Sequence, residues 1–265
     1  MSSDLATRVG ALELEHPVMN ASGTLDPLAA RVAGLAIDAE LALVVTKTVT
    51  PLAREGNEAP RVCEVAGGML NSIGLPNPGL EAFAESVLPA VRALGRALVV
   101  SIGSDAAETE AVVRACRAAT RLPLWVKLSP NVADLAAIAR AAERGGADAL
   151  VLTNTLRGLA IDHSSLEPLL GGVSGGLSGP ALKPVALAAV HTCRAACSLP
   201  LVGVGGIASG WDALEFLAAG ASAVQVGSAA FREPLLARRV RTELATLLAQ
   251  RGLPGIGALK TTTLD

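Results

Sequence analysis

Short apolar, β-branched runs alternate along the chain with Ala- and Leu-rich segments of helical period, and each run ends in a Gly-rich or polar turn. This alternation indicates repeated strand–helix units. Runs such as LVGVGG and AVQVGS are apolar at almost every position, as expected for parallel strands covered on both faces. The predicted strands are Pro17–Ser22, Leu43–Val49, Leu98–Gly103, Leu124–Ser129, Ala149–Asn154, Leu201–Gly206 and Ala223–Gly227, and the predicted helices span roughly 26–38, 78–94, 105–120, 133–144, 180–197, 209–219 and 232–250.

The polar ends of these strands favour one α/β architecture over another. A doubly wound open sheet gathers ligand groups at a single switch point, whereas a closed barrel presents them from all of its strands on one face. Nearly every predicted strand here ends in a polar or Gly cluster, so we expect a TIM-type (β/α) barrel that forms one domain over residues 1–265. Seven parallel strands are predicted instead of the usual eight. The Pro- and Gly-rich segment Pro51–Pro78 is expected to be a loop on the active face.

Composition excludes several classes of protein. The 265 residues are 51% hydrophobic and 17% charged, with a net charge of -2, so neither a disordered chain nor a polyanion-binding surface is indicated. Three Phe, two Trp and no Tyr leave little with which to stack nucleic acid bases. No basic leader or apolar run of spanning length is visible, which predicts a soluble cytoplasmic protein. The four cysteines form no CxxC pair, so no metal site is expected.

Glycines at the ends of the last two strands suggest a phosphate site. Gly205 and Gly206 close one strand, and Gly227 and Ser228 close the next, each just before a helix. Backbone amides at such turns bind anions, and barrels commonly place phosphate after the seventh and eighth strands. The Gly-rich segment 171–184, which includes Gly179, is placed to close over the same phosphate. The alternative is a set of tight turns that hold no ligand.

Two lysines lie where apolar strands end. A buried lysine needs an anionic or electron-rich partner, so Lys127 and Lys47 are expected to face a ligand, the alternative being structural ion pairs. Two cations beside a phosphate cradle are consistent with FMN but do not require it. Asn71 and Asn154 are candidate amide contacts for a planar ring or carboxylate, although such residues are also common in Asx turns. Of the histidines, His163 is a weak acid–base candidate, whereas His16 and His191 are expected to be structural.

Eight motifs together resemble the class 1 dihydroorotate dehydrogenases, and most of all the catalytic subunits of the NAD-linked type. They occur in the family's order and cover nearly the whole chain. They are MNASGT (19–24), TKTVTPLAREGNEAPR (46–61), GGMLNSIGLPNPG (67–79), VKLSPN (126–131), LTNT (152–155), GGLSGPALKP (175–184), VGVGGI (202–207) and VQVGSA (224–229).

The resemblance implies a barrel that carries FMN and oxidises dihydroorotate to orotate in pyrimidine synthesis. It also implies a homodimer and an iron–sulfur/FAD subunit that handles NAD, since no GxGxxG fingerprint occurs in this chain. The implied contacts are Ser22, Lys47, Thr48 and Lys127 at the flavin ring, Gly179, Gly205, Gly206, Gly227 and Ser228 at its phosphate, and Lys47, Asn71, Asn154 and Thr155 in the substrate pocket. Lys127 is implied to stabilise the negative charge that hydride transfer creates.

One departure from the family pattern concerns the general base. In family members the general base is a Cys, which lies in a loop after an additional strand. In this chain that strand would lie between the predicted strands ending at Gly103 and Ser129. Here the segment 101–129 passes through a single predicted helix, and that strand, its loop and one helix are absent. None of the cysteines takes the missing position: they are Cys63, Cys116, Cys193 and Cys197. No catalytic residue is therefore assigned, and Ser104 and Ser129 are the only weak substitutes.

Four functional readings follow from these residues. The first is a dihydroorotate dehydrogenase-like flavoprotein whose turnover is in question because the general base is missing. The second is an FMN oxidoreductase that acts on another small cyclic substrate. The third is a non-catalytic homologue that binds flavin or a partner, and the fourth is a colourless phosphate-binding barrel isomerase or lyase. The colour of the purified protein and bleaching by dihydroorotate distinguish them.

Overall fold

The computed structural model describes residues 3–101 and 109–259. In chain order the strands are β1 Thr7–Val9, β2 Leu12–Leu14, β3 Val18–Asn20, β4 Val44–Val45, β5 Val62–Val65, β6 Gly68–Asn71, β7 Leu98–Val99, β8 Trp125–Leu128, β9 Ala149–Leu152, β10 Leu156–Gly158, β11 Gly175–Ser178, β12 Leu201–Val204 and β13 Ala223–Val226. All seven predicted parallel strands are among them, each shorter than predicted: they are β3, β4, β7, β8, β9, β12 and β13.

Helices follow the predicted positions closely. Asp26 caps the first of them through bonds to the amides of Leu28 and Ala29, and that helix ends at Val32 rather than at residue 38 because Gly34 turns the chain with φ +78°. The α-helices are α1 Pro27–Val32, α2 Leu80–Ala82, α3 Leu88–Arg92, α4 Thr109–Ala119, α5 Leu135–Gly145, α6 Lys183–Ala196, α7 Gly210–Ala218 and α8 Leu236–Gln250. A π-helix, Phe83–Val87, joins α2 to α3, and 3-10 helices span Ile37–Glu40, Pro180–Leu182, Ser228–Phe231 and Ile256–Ala258.

The parallel strands form two sheets. Five of them lie in the order β3-β13-β12-β9-β8, and β4 pairs with β7. The two sheets meet between β3 and β4, where the amide of Ala42 donates to the carbonyl of Val18 at 3.0 Å. The fully buried Asn20 side chain bonds both the N–H and the C=O of Val45 at 2.8 Å, so it replaces a ladder pair between the sheets.

Alternate residues of all seven parallel strands meet in one apolar cluster. Because side chains alternate across a strand, Val99, Trp125, Val151 and their equivalents point to one side, while their sequence neighbours pack under the helices. The N-terminal hairpin of β1 and β2 covers one end of this cluster through Val9 and Leu14. The strands therefore share an inner face, which positions the residues just beyond it.

Between β7 and β8 the described residues contain a single helix, α4, and no ladder joins these two strands. Arg117 of this helix contacts Asp148 at 2.8 Å, and Val113 packs against Gly145. Helix α4 therefore packs on the side of β8 and β9. Residues 102–108, which include Ser104 and the ends of the predicted strand and helix, lie outside the described part of the chain.

A four-stranded antiparallel sheet stands beside the parallel strands, with the order β10-β11-β6-β5. The expectation that Pro51–Pro78 is an irregular loop is wrong in part, because this segment contributes β5 and β6 as a hairpin. The Gly-rich segment 171–184 contributes β11, which pairs with β6 through Gly176 and Asn71. No helix of the described chain is long and apolar enough to cross a membrane.

Candidate functional site

Polar residues form a layer immediately beyond the apolar inner cluster, at the carboxyl ends of the parallel strands. Each lies two positions after an inward apolar residue and so faces the same way. Lys47 follows Val45, Ser101 follows Val99 and Lys127 follows Trp125. Three separate strands thus deliver hydrogen-bonding groups to one region.

Lys47 and Lys127 bring two ammonium groups into this layer without anionic partners. Within residues 3–101 and 109–259, neither Nζ makes a hydrogen bond or an ion pair. The Lys127 side chain is exposed, yet the protein atoms around it desolvate its ammonium group in part, and this desolvation together with the charge of Lys47 lowers its pKa to about 8. Desolvation also lowers the pKa of Lys47, whose side chain folds closely over Gly23.

Three hydroxyl groups connect β3, β4 and β7 at this end. Ser22 Oγ donates to the carbonyl of Thr46 at 2.8 Å, so it accepts from Thr48 Oγ1 at 3.1 Å, and Thr48 in turn accepts from Ser101 Oγ at 2.9 Å. The hydroxyl groups thus donate in one order, from Ser101 to Thr48, from Thr48 to Ser22, and from Ser22 to the carbonyl of Thr46. Among the described residues, no group donates to the Ser101 side-chain oxygen, which can therefore still accept a hydrogen bond.

The turns after β11 and β12 pack against each other so closely that Gly206 has no space for a side chain. A Cβ added at Gly206 would lie 2.8 Å from the carbonyl oxygen of Gly179 and from Cβ of Lys183. Gly206 has φ +71°, a conformation that side chains other than Gly rarely adopt. Gly205 is buried at the end of β12. The predicted phosphate glycines of two distant segments are thus neighbours.

After β13, Gly227 and Ser228 begin the 3-10 helix Ser228–Phe231 next to the turn after β3. A Cβ added at Gly227 would lie 3.7 Å from Cβ of Ala21 and 3.8 Å from Cγ2 of Thr24. The structure therefore places Gly227 close to the segment that carries Ser22. Lys183 is committed elsewhere, through 2.7 Å ion pairs with Asp212 and Glu215.

Three predicted substrate residues lie in or next to the antiparallel sheet. Asn71 Nδ2 donates to the carbonyl of Gly176 at 3.1 Å, and the Thr155 hydroxyl lies against the α-carbon of Gly176. Asn154 is exposed, its amide donates to the carbonyl of Leu128 at 2.8 Å, and its side-chain oxygen accepts from the amide of Thr155. Asn71 and Thr155 therefore meet at Gly176, while Asn154 follows directly on β9.

Ser129 and the cysteines do not offer a base in this layer. Ser129 Oγ accepts from the backbone and side-chain nitrogens of Asn131, as in a turn. Cys193 is buried on α6, and burial raises the pKa of its thiol to about 12. Cys63, Cys116 and Cys197 are half-buried on β5, at α4 and after α6. Within the described residues, no group of three or more His, Cys, Asp or Glu side chains could hold a metal ion.

Asn20, Ser101 and Thr153 belong to this region and were not predicted as site or linking residues. Thr153 is 2% exposed and its hydroxyl has no hydrogen-bond partner among the described residues, although its amide bonds Val204 at 2.8 Å. All three lie at polar positions that end apolar runs. A polar residue at the end of an apolar run was also the signal that identified the two lysines. A single Ser, Thr or Asn at such a position is too common to be singled out.

A protein family model described as dihydroorotate dehydrogenase matches the chain in two segments, residues 4–110 and 99–248. The two segments overlap at 99–110. This is the part of the chain that joins β7 to α4.

Curated relatives with the same printed name, dihydroorotate dehydrogenase B (NAD(+)), catalytic subunit, match over almost their full lengths. The Trichlorobacter lovleyi protein is 40% identical over 98% of this chain and 98% of its own length. The Desulforudis audaxviator protein is 40% identical over 98% and 97%, and the Geobacter sulfurreducens protein is 38% identical over 97% and 98%. The first alignment is 300 positions long, whereas 98% of 265 residues is about 260, so about 40 positions have no counterpart here.

Proposed function

The chain belongs to the dihydroorotate dehydrogenase family of flavin oxidoreductases, which act on CH–CH bonds in pyrimidine biosynthesis, and we propose that it is an FMN-dependent dihydroorotate oxidoreductase lacking the family's general-base loop. The observation that carries this proposal is the shared layer of Lys47 and Lys127 with the contact between the Gly179 and Gly206 turns. A flavin needs both a cationic ring site and a phosphate cradle, and these lie at the same ends of the parallel strands.

The fold is proposed to be a (β/α) barrel with one strand–helix unit missing. The seven strands share one inner apolar face, and six of the seven neighbouring pairs are linked by ladders or, between β3 and β4, by Asn20 and Ala42. The remaining pair is β7 and β8. The overlap of the two matched segments at 99–110 and the roughly 40 missing positions support a deletion at this place. Residues 1–265 are proposed to form this one domain.

The residues present fit FMN. Lys47 and Lys127, two ammonium groups without a partner among the described residues, call for a ligand with an electron-rich or anionic part, and Gly206 leaves the backbone beside the Gly179 turn free of side-chain atoms. FMN supplies an electron-accepting ring. Lys47, Lys127, Ser22 and Thr48 are proposed to hold the ring, and the amides of the phosphate turns its anionic end; these turns carry Gly179, Gly205, Gly206, Gly227 and Ser228.

Asn71, Asn154, Thr155 and Lys47 are proposed to bind the substrate. Dihydroorotate carries a carboxylate and cyclic amide groups, for which an ammonium and side-chain amides are complementary partners. Asn71 and Thr155 are brought together at Gly176 by pairing of β6 with β11. The antiparallel sheet thus supplies the side of the pocket that faces away from the parallel strands.

Proton removal from the substrate is the step that this chain supports least. No side chain assigned as a general base lies in the described part of the layer, because Lys127, with a pKa of about 8, is mostly protonated at neutral pH and Ser129 is used in a turn. Ser104 lies outside the described residues and keeps its place as a candidate. Loss of a general base typically lowers rates by a factor of about 10² to 10⁴. We therefore propose slow turnover that proceeds with water as proton acceptor.

Electrons are proposed to leave through a second subunit. The relatives are named catalytic subunits of NAD-dependent enzymes, and a separate iron–sulfur/FAD electron-transfer subunit is the partner this implies. A homodimer of the chain stays a prediction from the family resemblance, and a cytoplasmic location stays a prediction from the sequence.

The decisive experiment mixes purified protein anaerobically with dihydroorotate in a stopped-flow spectrometer. The protein should be yellow, release FMN on denaturation, and lose its flavin absorbance slowly on addition of dihydroorotate. Colourless protein that cannot be reconstituted with FMN would disprove the cofactor proposal. Bound FMN that dithionite bleaches but dihydroorotate never bleaches would instead support a non-catalytic homologue.

A further inference from the structure

Arg157 of β10 is a further cation beside the predicted substrate residues. In the antiparallel sheet it pairs with Gly176 of β11, and Gly176 pairs on its other side with Asn71 of β6. Residues directly opposite each other on antiparallel strands point their side chains to the same face of the sheet. Arg157 and Asn71 therefore share one face, with the glycine between them.

Gly176 contributes no side chain to the space between these two residues. Two strand spacings separate the α-carbons of Arg157 and Asn71, which is about 10 Å. A Cβ added at Gly176 would collide with the hydroxyl of Thr155, so the Thr155 side chain lies on the same face. An amide, a hydroxyl and a guanidinium thus surround one glycine on a single face of the sheet.

The opposite face of this sheet is apolar and covered by other parts of the chain. Leu156, Leu177 and Leu70 lie directly opposite one another on that face, and Leu70 is buried. On the polar face, by contrast, Arg157 is exposed and Asn71 is half-buried. The polar face is therefore the one that a ligand can reach.

The backbone of Arg157 is attached to the segment that follows Lys127. Asn131, four residues after Lys127, accepts at Oδ1 from the Arg157 amide at 2.8 Å and donates from Nδ2 to the Thr155 carbonyl at 2.9 Å. Asn131 thus joins the end of β8 to the start of β10. Arg157 consequently lies at the same ends of the parallel strands as Lys127.

The guanidinium of Arg157 makes no hydrogen bond or ion pair with any residue of 3–101 or 109–259. Glu64, the acidic residue of β5 on the same face, is paired with Arg232 at 3.2 Å. A guanidinium carries five N–H donors in a planar fork, and two of them match the two oxygens of a carboxylate. The unpaired fork of Arg157 is therefore complementary to a carboxylate on a ligand that Asn71 and Thr155 also contact.

We propose that Arg157 binds the carboxylate of dihydroorotate, as a further substrate-binding residue beside Asn71 and Thr155. This assignment rests on the proposed function and deepens it. The carboxylate distinguishes dihydroorotate from uncharged pyrimidine rings, and a site with a dedicated partner for a group selects against analogues that lack that group. Arg157 is thus a determinant of substrate specificity.

The test compares the binding of orotate and of methyl orotate, its uncharged ester, to the flavin-loaded protein by calorimetry. Arg157→Leu should weaken orotate binding by about tenfold or more and methyl orotate binding by less than about twofold. Arg157→Lys keeps the charge without the fork and should bind orotate with an affinity between those of wild type and Arg157→Leu. Arg232→Leu is the matched control, because that exposed arginine is paired with Glu64, and it should leave both affinities unchanged.

Flavin bleaching gives a second readout of the same contact. In Arg157→Leu the dihydroorotate concentration for half-maximal bleaching rate should rise by about tenfold or more, while the rate at saturation changes by less than about threefold. Equal affinities of wild type and Arg157→Leu for orotate, or equal losses for orotate and its ester, would overturn the role of Arg157 and leave the proposed function standing. A wild-type protein that binds no orotate would overturn both.

Discussion

The two sides of the strand-end layer differ in how completely they are built. On the side of β9, β12 and β13, continuous ladders hold the strands, and the turns after β11 and β12 are in contact at Gly179 and Gly206. On the other side, β7 pairs only with β4 in the described chain, and no ladder joins β7 to β8. The first side carries the groups proposed to hold the phosphate and the second is where the base would lie. We therefore expect cofactor binding and proton transfer to be separable in this protein.

The largest effect is expected from rebuilding the incomplete side. Inserting within 99–110 the strand, Cys loop and helix that the family resemblance implies should raise the rate of flavin bleaching by dihydroorotate by about 10² to 10⁴, because the insertion would supply a general base. Anaerobic stopped-flow absorbance measures this rate. The same insertion with Cys replaced by Ala is the control, and equal rates for the two insertions would show that proton transfer does not limit the reaction.

On the complete side, removing one charge should affect electron transfer most. Lys127→Met should slow flavin bleaching by about 10² to 10³, since a preorganised cation beside the acceptor is typically worth that much. Lys183→Met is the control, because that ammonium is paired with Asp212 and Glu215 outside the layer. The redox potential of the bound flavin should also fall in Lys127→Met only. An unchanged potential would place Lys127 away from the ring.

Much of the fold follows from hydrophobic periodicity. All seven parallel strands and most helices lie where the pattern predicts them, since burial on both faces makes these strands continuous apolar runs. The β5–β6 hairpin was missed for two reasons. The residues of β5 alternate between exposed and half-buried positions and none is fully buried, and Gly67 and Gly68 lower the strand propensity of the segment. Pairing of β6 with β11 is a long-range contact that neither segment indicates alone.

The site was predictable in kind and less so in detail. Lys47 and Lys127 stand out because a cation ending an apolar strand is rare. Thr153 and Ser101 do not, since their importance depends on an orphaned hydroxyl and on a chain of bonds across three strands. Asn20 was quoted only as part of a motif, although its side chain joins the two sheets. Such roles arise from tertiary contacts.

A larger side chain at the contact between the Gly179 and Gly206 turns should have a smaller effect, on stability and FMN binding. Gly206→Ala combines a positive φ with a 2.8 Å approach to the Gly179 carbonyl and should cost about 3 kcal/mol in unfolding free energy and lose bound FMN. Gly34→Ala has a similar φ of +78° but open space, so it should cost only about 1 kcal/mol and keep its FMN. Urea titration and flavin absorbance measure both. Equal losses of unfolding free energy in the two variants would indicate that the Gly179 and Gly206 turns are not tightly packed.

The smallest effect concerns the free energy of unfolding without flavin. Lys127 is desolvated, with a pKa of about 8 against 10.5 when unfolded, so below pH 8 its charge costs the folded state stability. Allowing for screening by solvent on its exposed surface, Lys127→Met should stabilise the flavin-free protein by about 1 kcal/mol at pH 7. The unfolded state binds more protons between pH 8 and 10.5, so wild-type stability rises through this interval and the advantage of Lys127→Met shrinks. Urea unfolding at pH 7 and pH 10.5 checks the sign. A variant that is less stable at pH 7 would mean that Lys127 has a stabilising partner even without FMN.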